Sequence, residues 1–289
     1  MEKNPFSLFD FLGYFIPGAF ALFLVYFLQN DNGLVFYFRI ENVQSLNTDI
    51  SILYITFFVI LSYTLGHILS FLSTLTIENF TVWMFGYPSK NLLEIDRAAN
   101  YFQKKMNTQS TINWPITFLS YILRTLLFIF LAPISILSIT VGNILNLNNS
   151  VYTKSLGEPY VTFTKKKIKS IFKRHKKNYI MDFEKVDYNK LLIHHSYNIN
   201  TPHQPKLMNY VSLYGFLRVI SLVFNFLSIF MFLKIFFFEG KLNLNLNNEF
   251  STDSIFFFIA SSLTYITYLG YLKFYRRYTQ ENLMILLLK

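Results

Sequence analysis

From Ile52 to Ile77 the chain runs for 26 residues without an Asp, Glu, Lys or Arg. A bilayer core needs about 20 such residues in a helix. Inside hydrocarbon every backbone N–H and C=O must be satisfied within the protein, which leaves helices and closed barrels as spanning structures. Composition separates a membrane helix from the core of a large soluble protein. The chain is 53% hydrophobic and 15% charged, with 34 Phe and 20 Tyr, whereas soluble domains carry about 25% charged residues. Phe suits hydrocarbon and Tyr suits the headgroup boundary. The sequence therefore predicts an all-α integral membrane protein. The absence of cysteine removes disulfides, thiolate chemistry and Cys-ligated metal sites from consideration.

The second half of that run, with the Glu78 that ends it, carries Tyr63, His67, Ser70, Thr74 and Glu78, spaced by four, three, four and four. On an α-helix this spacing puts all five on one stripe, with Gly66, Ser70 and Ser73 small enough for another helix to approach. If the helix meets the cytoplasmic surface near Leu75, His67 lies about 12 Å inside at 1.5 Å per residue. A titratable group at that depth points to a relay, a gate or a ligand site. The alternative is that these polar groups only fix packing between helices.

Four spans and one irregular segment follow from hydropathy and charge. An N-terminal membrane unit covers 1–146. It holds spans at 11–28 and 52–75, a cytoplasmic loop at 76–114 and an awkward apolar segment at 115–146. In the first span Asp10 is placed to cap the helix, and Pro17 to kink it because it cannot donate to the carbonyl four residues back. In the loop, Ser89 is placed to cap a short amphipathic helix built on Leu92, Leu93, Ile95 and Ala98. The 115–146 segment is too short for two crossings, and one crossing would put the basic region that follows it outside. The predicted solution is a re-entrant or interfacial helical hairpin bending near Ala132-Pro133. A C-terminal membrane hairpin at 211–289, with spans 211–238 and 255–272 and a cytoplasmic tail, completes the chain. Both termini are then cytoplasmic, in the inner membrane of a bacterium, and a five-span arrangement is the rival.

Charge fixes that orientation. The net charge is +10, and between Leu147 and Tyr210 stand twelve Lys and Arg against four acids; basic loops stay cytoplasmic. Within this basic segment (147–210), Lys165, Lys166, Lys167, Lys169, Lys173, Arg174, Lys176 and Lys177 form one acid-free run. Ile168, Ile171, Phe172, Tyr179 and Phe183 are interleaved at near-helical spacing, which predicts one or two amphipathic helices. Such a run suits anionic lipid headgroups at about 1 kcal/mol per basic residue, or a cytoplasmic protein, nucleic acid or nucleotide. It equally serves as a plain topology signal.

Two further cations, Arg124 and Arg218, lie at membrane edges, placed to snorkel to lipid phosphates. One of them, with Arg124 the favoured partner, is placed to pair with Glu78 and tie the irregular segment to the second span. Asn225 reads as an interhelical hydrogen-bond partner. His194, His195 and His203 lack a metal-ligand spacing, and no phosphate loop, HExxH or nucleophile elbow occurs. No cofactor, metal or catalytic residue is therefore assigned.

The patches FDFLGYFIPG at 9–18, SYTLGHILSFLSTLTIE at 62–78 and MFGYPSKNL at 84–92 resemble a group of uncharacterised bacterial membrane proteins found near anti-phage defence genes. The resemblance covers the first third of the chain and implies a shared N-terminal two-span unit, with no implied mechanism. The functional expectation is a homo-oligomeric channel, pore or membrane-perturbing effector controlled by its cytoplasmic segments. A membrane-anchored adaptor built on the basic run is the alternative, and an intramembrane enzyme a third.

Overall fold

The computed structural model describes residues 10–29, 48–95, 101, 114–175, 193–195, 204–238 and 248–287, and every element among them is helical. Three helical stretches are long and apolar enough to cross a membrane: Ile52–Leu92, Gln204–Phe236 and Asp253–Ile285. Phe118–Phe130 and Ala132–Ile144 would together make a fourth, but they meet at a bend of 87°. The apolar helix over the expected first span, Phe11–Tyr26, is shorter than these.

That first helix, α1 (Ile16–Gln29), is preceded by a π-helical turn, Phe11–Phe15. Pro17 explains the turn. Its ring would strike the Gly13 carbonyl in a regular helix and it has no N–H to give, and the wider π-turn accommodates it. Asp10 is helical and makes no capping hydrogen bond, contrary to the expected cap.

Helix α2 (Thr48–Ser73) continues through a second π-turn, Thr74–Glu78, into α3 (Asn79–Phe85). Gly86, at φ 81°, stops α3, and the Asn91 amide covers the freed Phe85 carbonyl at 2.8 Å. The short α4 (Pro88–Leu92) follows. Its first residue is Pro88, with Tyr87 as an extended cap, so Ser89 lies inside the helix and buried, not at its start.

Helix α5 (Trp114–Phe130) ends at the bend, and α6 (Ala132–Ile139) and α7 (Val141–Ile144) lead away from it. Pro133 sits in the first turn of α6, where its missing N–H costs nothing. The result is a right-angled elbow, a geometry shared by a broken span and a re-entrant loop. The carbonyls set free at the break find donors: Ser135 Oγ reaches Phe128 O at 3.1 Å, and Asn225 Nδ2 reaches Phe130 O at 3.0 Å. Irregular backbone at membrane depth is tolerated on that condition.

After a π-turn at Asn149–Thr153, α8 (Glu158–His175) carries the basic run. Helices α9 (Gln204–Leu233) and α10 (Asn248–Ile285) then form an antiparallel pair. Four polar contacts run along it and into the π-turn Lys234–Phe238 that follows α9: Lys206–Glu281, Ser221–Thr264, Ser228–Ser261 and Lys234–Asp253. The C-terminal LMIL stretch, residues 283–286, packs on the bundle. Leu283 and Leu286 join Leu92, Leu93, Ile168 and Ile171 in one cluster, and Ile285 joins Leu207 and Tyr278 in another.

The main core lies between α3, α6 and the lower half of α10, and it is rich in tyrosine. Tyr152, Tyr268 and Tyr271 are fully buried beside Ile77, Phe80, Leu131 and Ile134. Tyr268 has a full hydrogen-bond account. Thr81 Oγ1 donates to Ile77 O at 2.7 Å, so the Tyr268 hydroxyl is the donor across the 3.1 Å to Thr81. Tyr152 donates to Gly86 O at 3.0 Å, which fastens the segment before α8 to the end of α3.

Candidate functional site

The face of α2 that meets the rest of the protein lies one residue behind the expected stripe. Ser62, Gly66, Leu69, Ser73 and Ile77 are its buried positions. At its upper end it crosses α1 with no room for side chains. A Cβ on Gly18 would lie 1.8 Å from Ser62 O, and one on Gly66 would lie 1.9 Å from Tyr14 O. Below the crossing, Leu69 packs on Val219 and Val223 of α9.

The five stripe residues therefore do not form one site. The rings of Tyr63 and His67 gather with Tyr14 of the N-terminal π-turn. Tyr14 stacks on His67 with centroids 3.8 Å apart, and Tyr63 meets His67 edge-on at 4.6 Å. Ser70 is half-buried, and its carbonyl accepts the Thr74 hydroxyl at 3.0 Å and the Ser73 hydroxyl at 2.8 Å. Thr74 is thereby occupied locally, as hydroxyls on apolar helices commonly are.

Glu78 belongs to a different arrangement. Its carboxylate is ion-paired with the Arg218 guanidinium, whose Nε also donates to Ser73 Oγ at 3.1 Å. The π-turn makes this possible. Ser73 and Glu78 are five residues apart, about 140° around a regular α-helix, too far for one guanidinium to bridge. A π-turn closes i to i+5 and returns the fifth residue almost above the first. One inserted residue thus swings Glu78 from the outer side of α2 to face α9. Arg218 is 9% exposed. Its charge is met inside the bundle, and the expected snorkelling does not occur.

Arg124 is the correction to the expected pairing, since Glu78 meets Arg218 instead. Arg124 is buried, donates from Nη1 to Tyr101 O at 3.2 Å, and lies 5.1 Å from the centre of the Trp83 ring. The Tyr101 hydroxyl returns a bond to Arg124 O at 3.0 Å. Loss of water at this site pushes the Tyr101 phenol up to about 12. Arg124 still ties the irregular segment to the second span, through α3 and the 76–114 loop. The guanidinium is held by a carbonyl and an aromatic face, both suited to a cation.

The basic run divides by the period of α8. Val161, Thr164, Ile168 and Ile171 point inward. The opposite face presents Tyr160, Phe163, Lys166 and Lys167, with Ser170 and Leu287, around a shallow cleft of about 500 Å³. The inward face explains how a segment with so little core of its own is held: it borrows Leu92, Leu93, Leu283 and Leu286. Lys165, Lys166, Lys167, Lys169, Lys173 and Arg174 lie within α8. Lys176, Lys177, Tyr179, Phe183 and His203 fall outside the described residues, as does the KLNLNLN alternation. Among the described residues no three His, Asp or Glu side chains come together as a metal site.

No protein-family model, curated protein or solved structure matches the chain.

Proposed function

We propose that this chain is a non-enzymatic, oligomeric channel, pore or membrane-perturbing effector of a bacterial inner membrane, with both termini cytoplasmic. Its cytoplasmic segments control it, and the resemblance of its N-terminal patches points to anti-phage defence. In this arrangement α1, α2, α9 and α10 cross or enter the bilayer, and the elbow at Leu131-Ala132 is a re-entrant element.

The observation that carries the reading is a mechanical one. Helix α10 runs 38 residues without a break, and its tail is the surface on which α4 and α8 pack. A partner or signal acting on the basic helix therefore acts on a membrane helix directly. Where that assembly meets the bilayer helices, the Glu78–Arg218 pair joins α2 to α9, so relative movement of the two must break or carry a charge pair.

Proteoliposomes test this. Purified wild-type protein should release an entrapped dye or pass ions, and Glu78→Gln should change that rate at least several-fold while leaving insertion intact. Wild-type vesicles as tight as empty ones in both assays would overturn the channel and pore reading. The outward face of α8 favours a second reading, an adaptor. Substituting Lys165, Lys166 and Lys167 with Gln should then abolish capture of an anionic partner, with insertion unchanged.

A further inference from the structure

The side of α2 that faces away from α9 and α10, and borders the N-terminal π-turn at Ile60, Thr64 and His67, is not featureless. Leu53, Phe57, Ile60, Thr64, His67 and Phe71 recur at intervals of four, three, four, three and four, and all six are exposed. The four hydrophobic members are 68%, 63%, 58% and 65% exposed. Five intervals of this kind make a heptad seam, the pattern by which one helix packs along another.

Lipid alone would satisfy the apolar members but not His67. It lies eleven residues from Glu78, about 16 Å up the helix. Its ring contacts are with Tyr14 and Tyr63, and neither nitrogen has a hydrogen-bond partner among the described residues. Acyl chains offer no donor or acceptor, and leaving such a group unmatched in hydrocarbon is costly. Thr64, the other polar member, needs nothing, because its hydroxyl already reaches Ile60 O and Leu61 O at 3.0 Å.

We propose that this seam receives the same seam of a second copy, the two α2 helices running parallel with their His67 imidazoles hydrogen-bonded to each other. Both copies insert the same way, so a two-fold axis along the membrane normal sets each residue opposite its own counterpart at equal depth. A neutral imidazole carries one donor and one acceptor, so two of them satisfy one bond and share one register. A single polar position in an apolar seam fixes register in this way. The inference names the interface of the assembly in the proposed function and rests on that reading.

The chain has no cysteine, so single cysteines can be placed at will. In native membranes under oxidation, Phe57→Cys, Ile60→Cys, Thr64→Cys and Phe71→Cys should give cross-linked dimers. Ile55→Cys and Phe58→Cys, which are exposed on other sides of the helix, should not. Adding His67→Leu to Ile60→Cys should weaken cross-linking about five-fold, the worth of one such intramembrane hydrogen bond. His67→Asn, which keeps a donor and an acceptor, should restore it. A multimer by native mass spectrometry whose cross-links avoid the seam overturns this interface and leaves the oligomeric reading standing. A monomer overturns both.

Discussion

Helix α2 and the α9–α10 pair are both membrane-length and apolar, yet they are held in opposite ways. Of the apolar window in α2, 17% is buried, against 44% in α9 and 39% in α10. Helices α9 and α10 are stitched by polar contacts along their length and wrapped by tyrosines. Helix α2 is held along one narrow line, by backbone contact at Gly18 and Gly66 above and by one charge pair below. A helix anchored along a line keeps its other sides free for lipid or for another chain, whereas a helix enclosed by neighbours is committed. In this molecule, therefore, the α9–α10 pair is the frame and α2 the element free to engage elsewhere.

The most severe way to break that contrast is to detach α2. Gly66→Leu sets a branched side chain against the Tyr14 backbone, which cannot yield as a side chain would. Overpacking commonly costs about 1–3 kcal/mol, and this variant should exceed that range. Thermal unfolding in detergent should show a large drop in Tm, with Gly66→Ala intermediate.

The lower anchor comes next. Glu78→Ala leaves the buried Arg218 without its charge partner. Breaking a fully buried pair costs about 3–5 kcal/mol, and because the Glu78 side chain stays 30% exposed, about 2–3 kcal/mol is expected. Arg218→Met should cost less than Glu78→Ala, and the double variant should fall well short of the sum. Additive losses in the thermal assay would mean that the pair does not couple the helices.

The smallest effects sharpen the picture of the frame. Tyr268→Phe removes a donor that Thr81 uses and should cost about 1 kcal/mol. Tyr271 is as deeply buried, but its hydroxyl has no partner among the described residues. Tyr271→Phe should therefore be neutral or slightly stabilising, since a buried unmatched hydroxyl carries a desolvation cost. Equal losses at the two positions would show that the tyrosines act through ring packing alone.

Much of the frame was legible in advance. Hydropathy marks the three long helices, Pro133 marks the elbow, and Asn225 stands out as a polar group needing an interhelical partner. Helix phase at the candidate site was not legible. The 3.6-residue period placed Glu78 on the His67 stripe, and nothing in residues 74–78 announces the extra residue that rotates it towards Arg218. The signal that could have helped is the set Ser62, Gly66 and Ser73, small residues tracing the inward line one step behind the stripe. Arg124 was misjudged because its partners, Tyr101 and Trp83, come from the preceding loop and from α3. The length of the last helix was not legible either. Lys273, Arg276 and Arg277 mark a change of solvent, and α10 continues through them because a helix has no need to stop where polarity changes.

That continuity sets a lever ratio. At 1.5 Å per residue α10 is about 57 Å long, against a hydrocarbon thickness of about 30 Å, so an α10 that crosses a bilayer leaves nearly half of the rod outside the layer that grips it. Tilting the gripped half by about ten degrees would carry the free tip sideways by about 5 Å, roughly one helical turn. Displacing the tip by that amount would return the same tilt to the membrane.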